Sequence, residues 1–154
     1  VSVKAARTLA GRLVERFGMP IDTPFAGVRS LFPAAAVLAD CAPSEIAALG
    51  IIAARAQAIV ALARAVAEEN ILLSPNVNVD DAIAKLRELP GIGEWTAQAI
   101  AMRALHWPDA FPAGDAGVLK ALKQRQAMQA TRIAEQWRPW RAYAVMHLWT
   151  ALEE

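Results

Sequence analysis

The 154-residue chain has one cysteine, Cys41, one tyrosine, Tyr143, and two histidines, His106 and His147. A single thiol excludes a disulfide framework, a four-cysteine zinc site and a cysteine-held iron–sulfur cluster, and it suits a reducing compartment. The two histidines have no companions at metal-ligand spacing, so they read as hydrogen-bonded helix residues. Strand-forming aromatics are few, with four phenylalanines beside the lone tyrosine, and no stretch alternates apolar with polar. No apolar run approaches the roughly 18 residues of a membrane span, and no signal peptide opens the chain. There is no initiator methionine, and Val1 falls inside a helical pattern. The sequence therefore reads as one domain, residues 1–154, truncated at its N-terminus from a longer protein.

What is abundant is alanine, 35 residues of it, the best helix former. Hydrophobic residues make up 56% and charged ones 20%, enough for a packed core. Helical periodicity runs over 2–17, 33–39, 44–49, 51–69, 79 or 80 to 89, 94–106, 115–123, 129–137 and 139–152. Ser44 is the expected cap of the third segment, Asp115 of the seventh, and Pro139 the first residue of the last. The chain is thus expected to be all-α, a bundle of about nine helices. Net charge is +1 but uneven. Lys120 to Arg141 carries six cations against Glu135 alone, and Ile71 to Leu119 three cations against six acids. That is either a solvated helix surface, the more common case, or an anion-binding face.

Between the fifth and sixth segments stands Leu89-Pro90-Gly91-Ile92-Gly93. Pro90 ends one helix, the glycines permit backbone angles closed to other residues, and the next helix begins with free N–H groups and a positive dipole end. Such a turn can be an ordinary helical hairpin or a phosphate site that ignores base identity. About twenty residues on, Phe111-Pro-Ala-Gly-Asp115 ends a Pro/Gly loop in a carboxylate at a helix start. The chain closes with Trp137-Arg-Pro-Trp-Arg-Ala-Tyr-Ala-Val-Met-His-Leu-Trp149.

Leu89-Pro-Gly-Ile-Gly-Glu-Trp-Thr-Ala, then the loop and its aspartate, resembles the helix-hairpin-helix DNA glycosylases. The closing segment, and the opening Val1-Ser-Val-Lys-Ala-Ala, resemble the alkylbase branch, the AlkA type or 3-methyladenine DNA glycosylase II. The resemblance runs nearly end to end. It implies the helix-hairpin-helix glycosylase fold and hydrolytic removal of alkylated purines from duplex DNA, the first step of base-excision repair. It makes Asp115 the catalytic carboxylate and Trp95 and Trp149 the pocket that stacks the everted base. It assigns the hairpin residues Gly91, Ile92, Gly93, Glu94 and Thr96 to a DNA phosphate, and the backbone carbonyls of Arg87, Leu89 and Ile92 to a structural Na⁺ or K⁺. No other cofactor is implied. The lysine that makes bifunctional relatives lyases is replaced by Trp95, so no strand nicking is expected.

Trp137 and Trp140 match framework positions and are expected in the core. Ala99 stands where the branch carries a tyrosine, which opens the lesion range. The wedge residue that fills the gap in the duplex, and a β-rich domain, would lie upstream of Val1. The expected working unit is a monomer on double-stranded DNA, off the membrane, in the cytoplasm on a bacterial nucleoid. Two other readings stay open. One is a non-catalytic DNA-binding or damage-sensing module of an Ada-type alkylation-response regulator. The other is a glycosylase for other damaged bases.

Overall fold

A computed structural model of the chain describes residues 3–74 and 76–152. Among these are nine α-helices, as the periodicity predicts, and one short ribbon that it does not. The chain divides into two compact units, Val1–Ile71 with Leu89–Gly91, and Leu72–Glu88 with Ile92–Glu154.

The first unit holds α1 (Val3–Phe17), strands β1 (Met19–Pro20) and β2 (Ser30–Leu31), and helices α2 (Ala35–Ala39), α3 (Pro43–Ala47) and α4 (Ala53–Ala67). Ser2, predicted to open α1, lies outside the described residues. The strands pair antiparallel, Met19 opposite Leu31 and Pro20 opposite Ser30. A two-residue strand is too short to show a period, which is why alternation misses it. Ser44 does not cap α3. Pro43 takes the first turn because it needs no N–H partner there, and the Ala42 N–H instead donates to Glu45 Oε2 at 2.9 Å. Leu13, Leu38, Ile46, Ile51, Ala56 and Val60 form the core, with alanines letting α4 approach its neighbours closely. Cys41 is buried beside them, and its Sγ donates to the Val37 carbonyl.

The second unit holds α5 (Val79–Glu88), α6 (Glu94–Arg103), α7 (Ala116–Ala121), α8 (Ala127–Ala134), a 3₁₀ turn (Glu135–Trp137) and α9 (Arg141–Thr150). Asn78 caps α5, its Oδ1 accepting from the Asp80 and Asp81 N–H groups. Pro139 lies outside α9, whose N-cap is Trp140, so the proline is not its first residue. Two apolar clusters stack along these helices. One has Val79, Ala82, Ala101, Leu105 and Ala142, the other Phe111, Val118, Ala130, Ala134 and Val145. Trp137 packs against the second, edge-on to Phe111, as expected of a framework residue. Trp140 is 58% exposed, a correction to its predicted place in the core. It stands beside the equally exposed Tyr143 on the outer side of α9.

Candidate active site

Asp115 is the cap of α7, as its position at a helix start predicts. Its backbone is extended, and Oδ1 accepts from the Val118 N–H at 2.9 Å. Two further donors converge on the same carboxylate. Trp149 Nε1 donates to Oδ1 at 2.8 Å and Trp95 Nε1 to Oδ2 at 2.9 Å. The indoles come from two different helices, 20 residues before Asp115 and 34 after it. Trp95 is the second residue of α6, and Trp149 sits in the last turn of α9. The three residues singled out for chemistry are therefore in direct contact.

Burial pushes the Asp115 carboxyl up. The hydrogen bonds from Trp149, Val118, Trp95 and Gly117 outweigh it and hold the group below its ordinary value. A neutral carboxylic acid would accept those bonds more weakly, so they favour the anion. The site is half open, with Asp115 part-buried and Trp95 48% exposed. The Arg103 guanidinium lies 5.8 Å from the ring centre of Trp149 and covers one of its faces.

Gly117 was not among the predicted residues. A Cβ there would stand 3.0 Å from Trp149 Cδ1 and 3.0 Å from Asp115 Oδ1. A side chain here would crowd both the indole and the carboxylate, and one of them would have to give way by a few tenths of an ångström. The legible signal is a glycine two places after the capping aspartate, inside a helix that would otherwise favour alanine.

The hairpin keeps its predicted shape with one change of reason. Gly91 has φ of +80°, and a Cβ on it would meet the Ala58 Cβ of α4 at 3.0 Å. Gly93 is extended, with open space where its side chain would be, so its backbone needs no glycine. Ile92 is buried. Glu94 opens α6 with its carboxylate held by Arg87 Nη1 at 3.2 Å and by Gln98 Nε2 at 3.0 Å. Thr96 is part-buried in the first turn. No hydrogen bond found outside the helices among the described residues ends on the carbonyls of Arg87, Leu89 or Ile92.

Of the two histidines expected in helices, His147 is in one and His106 is not. His106 is past the end of α6, exposed, with φ of +54°, and His147 is exposed on α9. Among the described residues no group of three His, Cys, Asp or Glu is placed to hold a metal ion. Lys120 and Lys123 are exposed. No helix of the described residues is long and apolar enough to cross a membrane.

Residues 1–141 match the family described as HhH-GPD superfamily base excision DNA repair protein. The chain is 42% identical over 159 aligned residues to a probable bifunctional transcriptional activator/DNA repair enzyme AlkA of Mycobacterium tuberculosis, covering 99% of this chain and 31% of that protein. It is 34% identical over 149 residues to DNA-3-methyladenine glycosylase 2 of Escherichia coli, covering 97% of this chain and 52% of that one. The chain thus spans about a third to a half of the relatives it matches. Among solved structures, a 3-methyladenine DNA glycosylase from Archaeoglobus fulgidus superposes with a TM-score of 0.83 at 24% identity, over 97% of this chain and 53% of that one.

Proposed function

Because the chain belongs to the HhH-GPD superfamily of base excision DNA repair proteins, we propose that it carries the site that removes alkylated purines from duplex DNA by hydrolysis of the N-glycosidic bond. The observation that carries this reading is the single carboxylate of Asp115 held as an anion between the indoles of Trp95 and Trp149. Breaking the bond from C1′ to the base sends both electrons to the base and leaves positive charge on the sugar. A fixed anion at that sugar stabilises the developing charge. An N3- or N7-alkylated purine is already cationic and departs neutral, so no general acid is needed. Water then adds to C1′ and releases a proton. Oδ1 already takes two N–H groups, which leaves Oδ2 as the oxygen that faces the sugar or the water.

The indole N–H edges are committed to Asp115, so their faces are what a base can meet. A cationic base gains roughly 0.5–2 kcal/mol on a tryptophan face. Trp149 has one face under Arg103, so we assign stacking to its other face and to Trp95. Trp95 supplies no amine to attack the sugar, which argues for a hydrolase without lyase activity. The residues Gly91, Ile92, Gly93, Glu94 and Thr96, at the positive end of α6, are assigned to a phosphate next to the lesion. The resemblance assigns a hard monovalent cation to the backbone carbonyls of Arg87, Leu89 and Ile92. Since Asp115, Trp95 and Trp149 all come from one chain, we take the working unit to be a monomer, acting on the bacterial nucleoid.

The test is a panel of duplexes carrying alkylated, oxidised or deaminated bases, scored for free base released by the full-length protein. Alkylated purines should be released, and Asp115→Asn should slow release at least about a hundredfold. Release of only oxidised or deaminated bases would assign the site to another lesion class, for which Ala99 leaves room. Salt-dependent binding with no release, insensitive to the substitution, would make this a DNA-binding module instead.

A further inference from the structure

Asp109 is the only charged residue found buried among the described residues, at 6% exposure, and the chemistry above does not use it. It stands six residues before Asp115 in the loop that follows α6. Arg141, in the first turn of α9, grips it as a fork, Nε to Oδ1 at 2.7 Å and Nη2 to Oδ2 at 2.8 Å. Arg138 Nη1 donates to Oδ2 as well, and Arg138 and Arg141 are both drawn to Glu135. The Arg141 guanidinium also lies 5.9 Å from the ring centre of Phe111, two residues further along the loop. A second tie runs the other way, because the Phe111 N–H donates to Gln98 Oε1 at 3.0 Å. The Ala142 N–H of α9 donates to the Pro108 carbonyl at 2.9 Å. Ala110, Phe111 and Pro112 are buried, and the Asp115 N–H closes onto the Pro112 carbonyl at 2.8 Å.

These contacts have one consequence for the reacting group. Gln98 lies one turn beyond Trp95 on α6, and Arg141 lies two turns before Trp149 on α9. The loop that ends in Asp115 is therefore fastened to each helix that supplies an indole. We propose that Asp109 and Arg141 are positioning residues whose fork sets the register of the Asp115 loop against Trp95 and Trp149. An Arg–carboxylate fork fixes direction as well as distance, which a single hydrogen bond does not. A shift of about 1 Å at such a site can cost on the order of a hundredfold in rate. The inference rests on the glycosylase reading for its effect on rate, but not for its effect on geometry.

The test uses full-length protein with ¹⁵N-labelled tryptophan, the Trp95 and Trp149 indole signals being assigned through Trp95→Phe and Trp149→Phe. The variants are Asp109→Asn and Arg141→Lys. The second keeps the charge pair but not the fork, and decides the matter if the first does not fold. Both indole N–H signals should move toward the position of an indole free of the carboxylate. The acid limb of single-turnover base release should rise, and the plateau rate should fall at least tenfold with DNA affinity within threefold of the parent. Unmoved indole signals and an unmoved acid limb, whatever the loss in melting temperature, would reduce the fork to a structural tie and overturn the proposal. If the parent protein releases no base at all, the glycosylase reading fails while the indole shifts still decide this one.

Discussion

The carboxylate of Asp115 is surrounded by donors, and that alone dictates how it responds to acid. An unperturbed aspartate titrates near 3.9. Here the folded value lies lower, so the anion survives through the ordinary carboxylate range and is lost only as pH falls through the folded value. The stability it adds as helix cap follows the same window, complete above the unfolded value and lost below the folded one. Base release should therefore stay level down to the pH at which an ordinary aspartate would have protonated. Trp95→Phe removes one N–H donor, so its acid limb should rise, as a pH–rate profile at saturating enzyme would record. Gly117→Ala should lower the plateau rate about tenfold or more, because the new methyl displaces either Trp149 or the carboxylate. Circular dichroism should meanwhile show the helices intact. A rate equal to that of the parent would show that the indole contact is dispensable.

At the scale of elements, the helices were legible because each needs only one apolar face and a start signal. Asp115 as cap and the break at Pro90 were both readable that way. The boundaries were not, since frayed ends obey tertiary contacts that leave no local mark. Nor was the partnership of Asp109 with Arg138 and Arg141, which are 29 and 32 residues away. The hairpin shows the same division. Both glycines look necessary in the sequence, yet only Gly91 is in the left-handed region and against a neighbour. Gly91→Ala should destabilise by about 1–3 kcal/mol, a drop of several degrees in melting temperature, as 1 kcal/mol shifts a domain of this size by about 2–4 °C. Gly93→Ala should leave the melting temperature nearly unchanged. An equal fall in both would mean that Gly93 is constrained by something other than its backbone.

Across the whole molecule, charge divides by role rather than by sequence block. The basic stretch from Lys120 to Arg141 reads as one anion-binding face or one solvated surface, and it is neither throughout. Arg138 and Arg141 turn toward Asp109 although Arg138 is itself exposed, while Lys120, Lys123, Arg125 and Arg132 are exposed with no such tie to Asp109. Under the proposed function, the latter four are the cations of this stretch assigned to DNA phosphates. Lys120→Ala with Lys123→Ala should weaken DNA binding uniformly across sequences and flatten its salt dependence, by about 0.9 in slope for each phosphate that the protein no longer neutralises. An unchanged slope would place the phosphate-binding cations elsewhere on the surface.

The site itself was visible as three residue types in an order that matches the family, whereas its internal geometry, edge of indole to carboxylate, required the fold. Under the proposed function, that geometry makes Asp115 a fixed anion facing a cationic sugar. The most direct measurement compares the affinity of full-length protein for two duplexes, one holding a pyrrolidinium in place of the lesion's sugar and one holding neutral tetrahydrofuran. The pyrrolidinium duplex should bind more tightly, and Asp115→Asn should erase the difference while leaving the neutral duplex bound as before. A preference for the cation that survives the substitution would contradict the account.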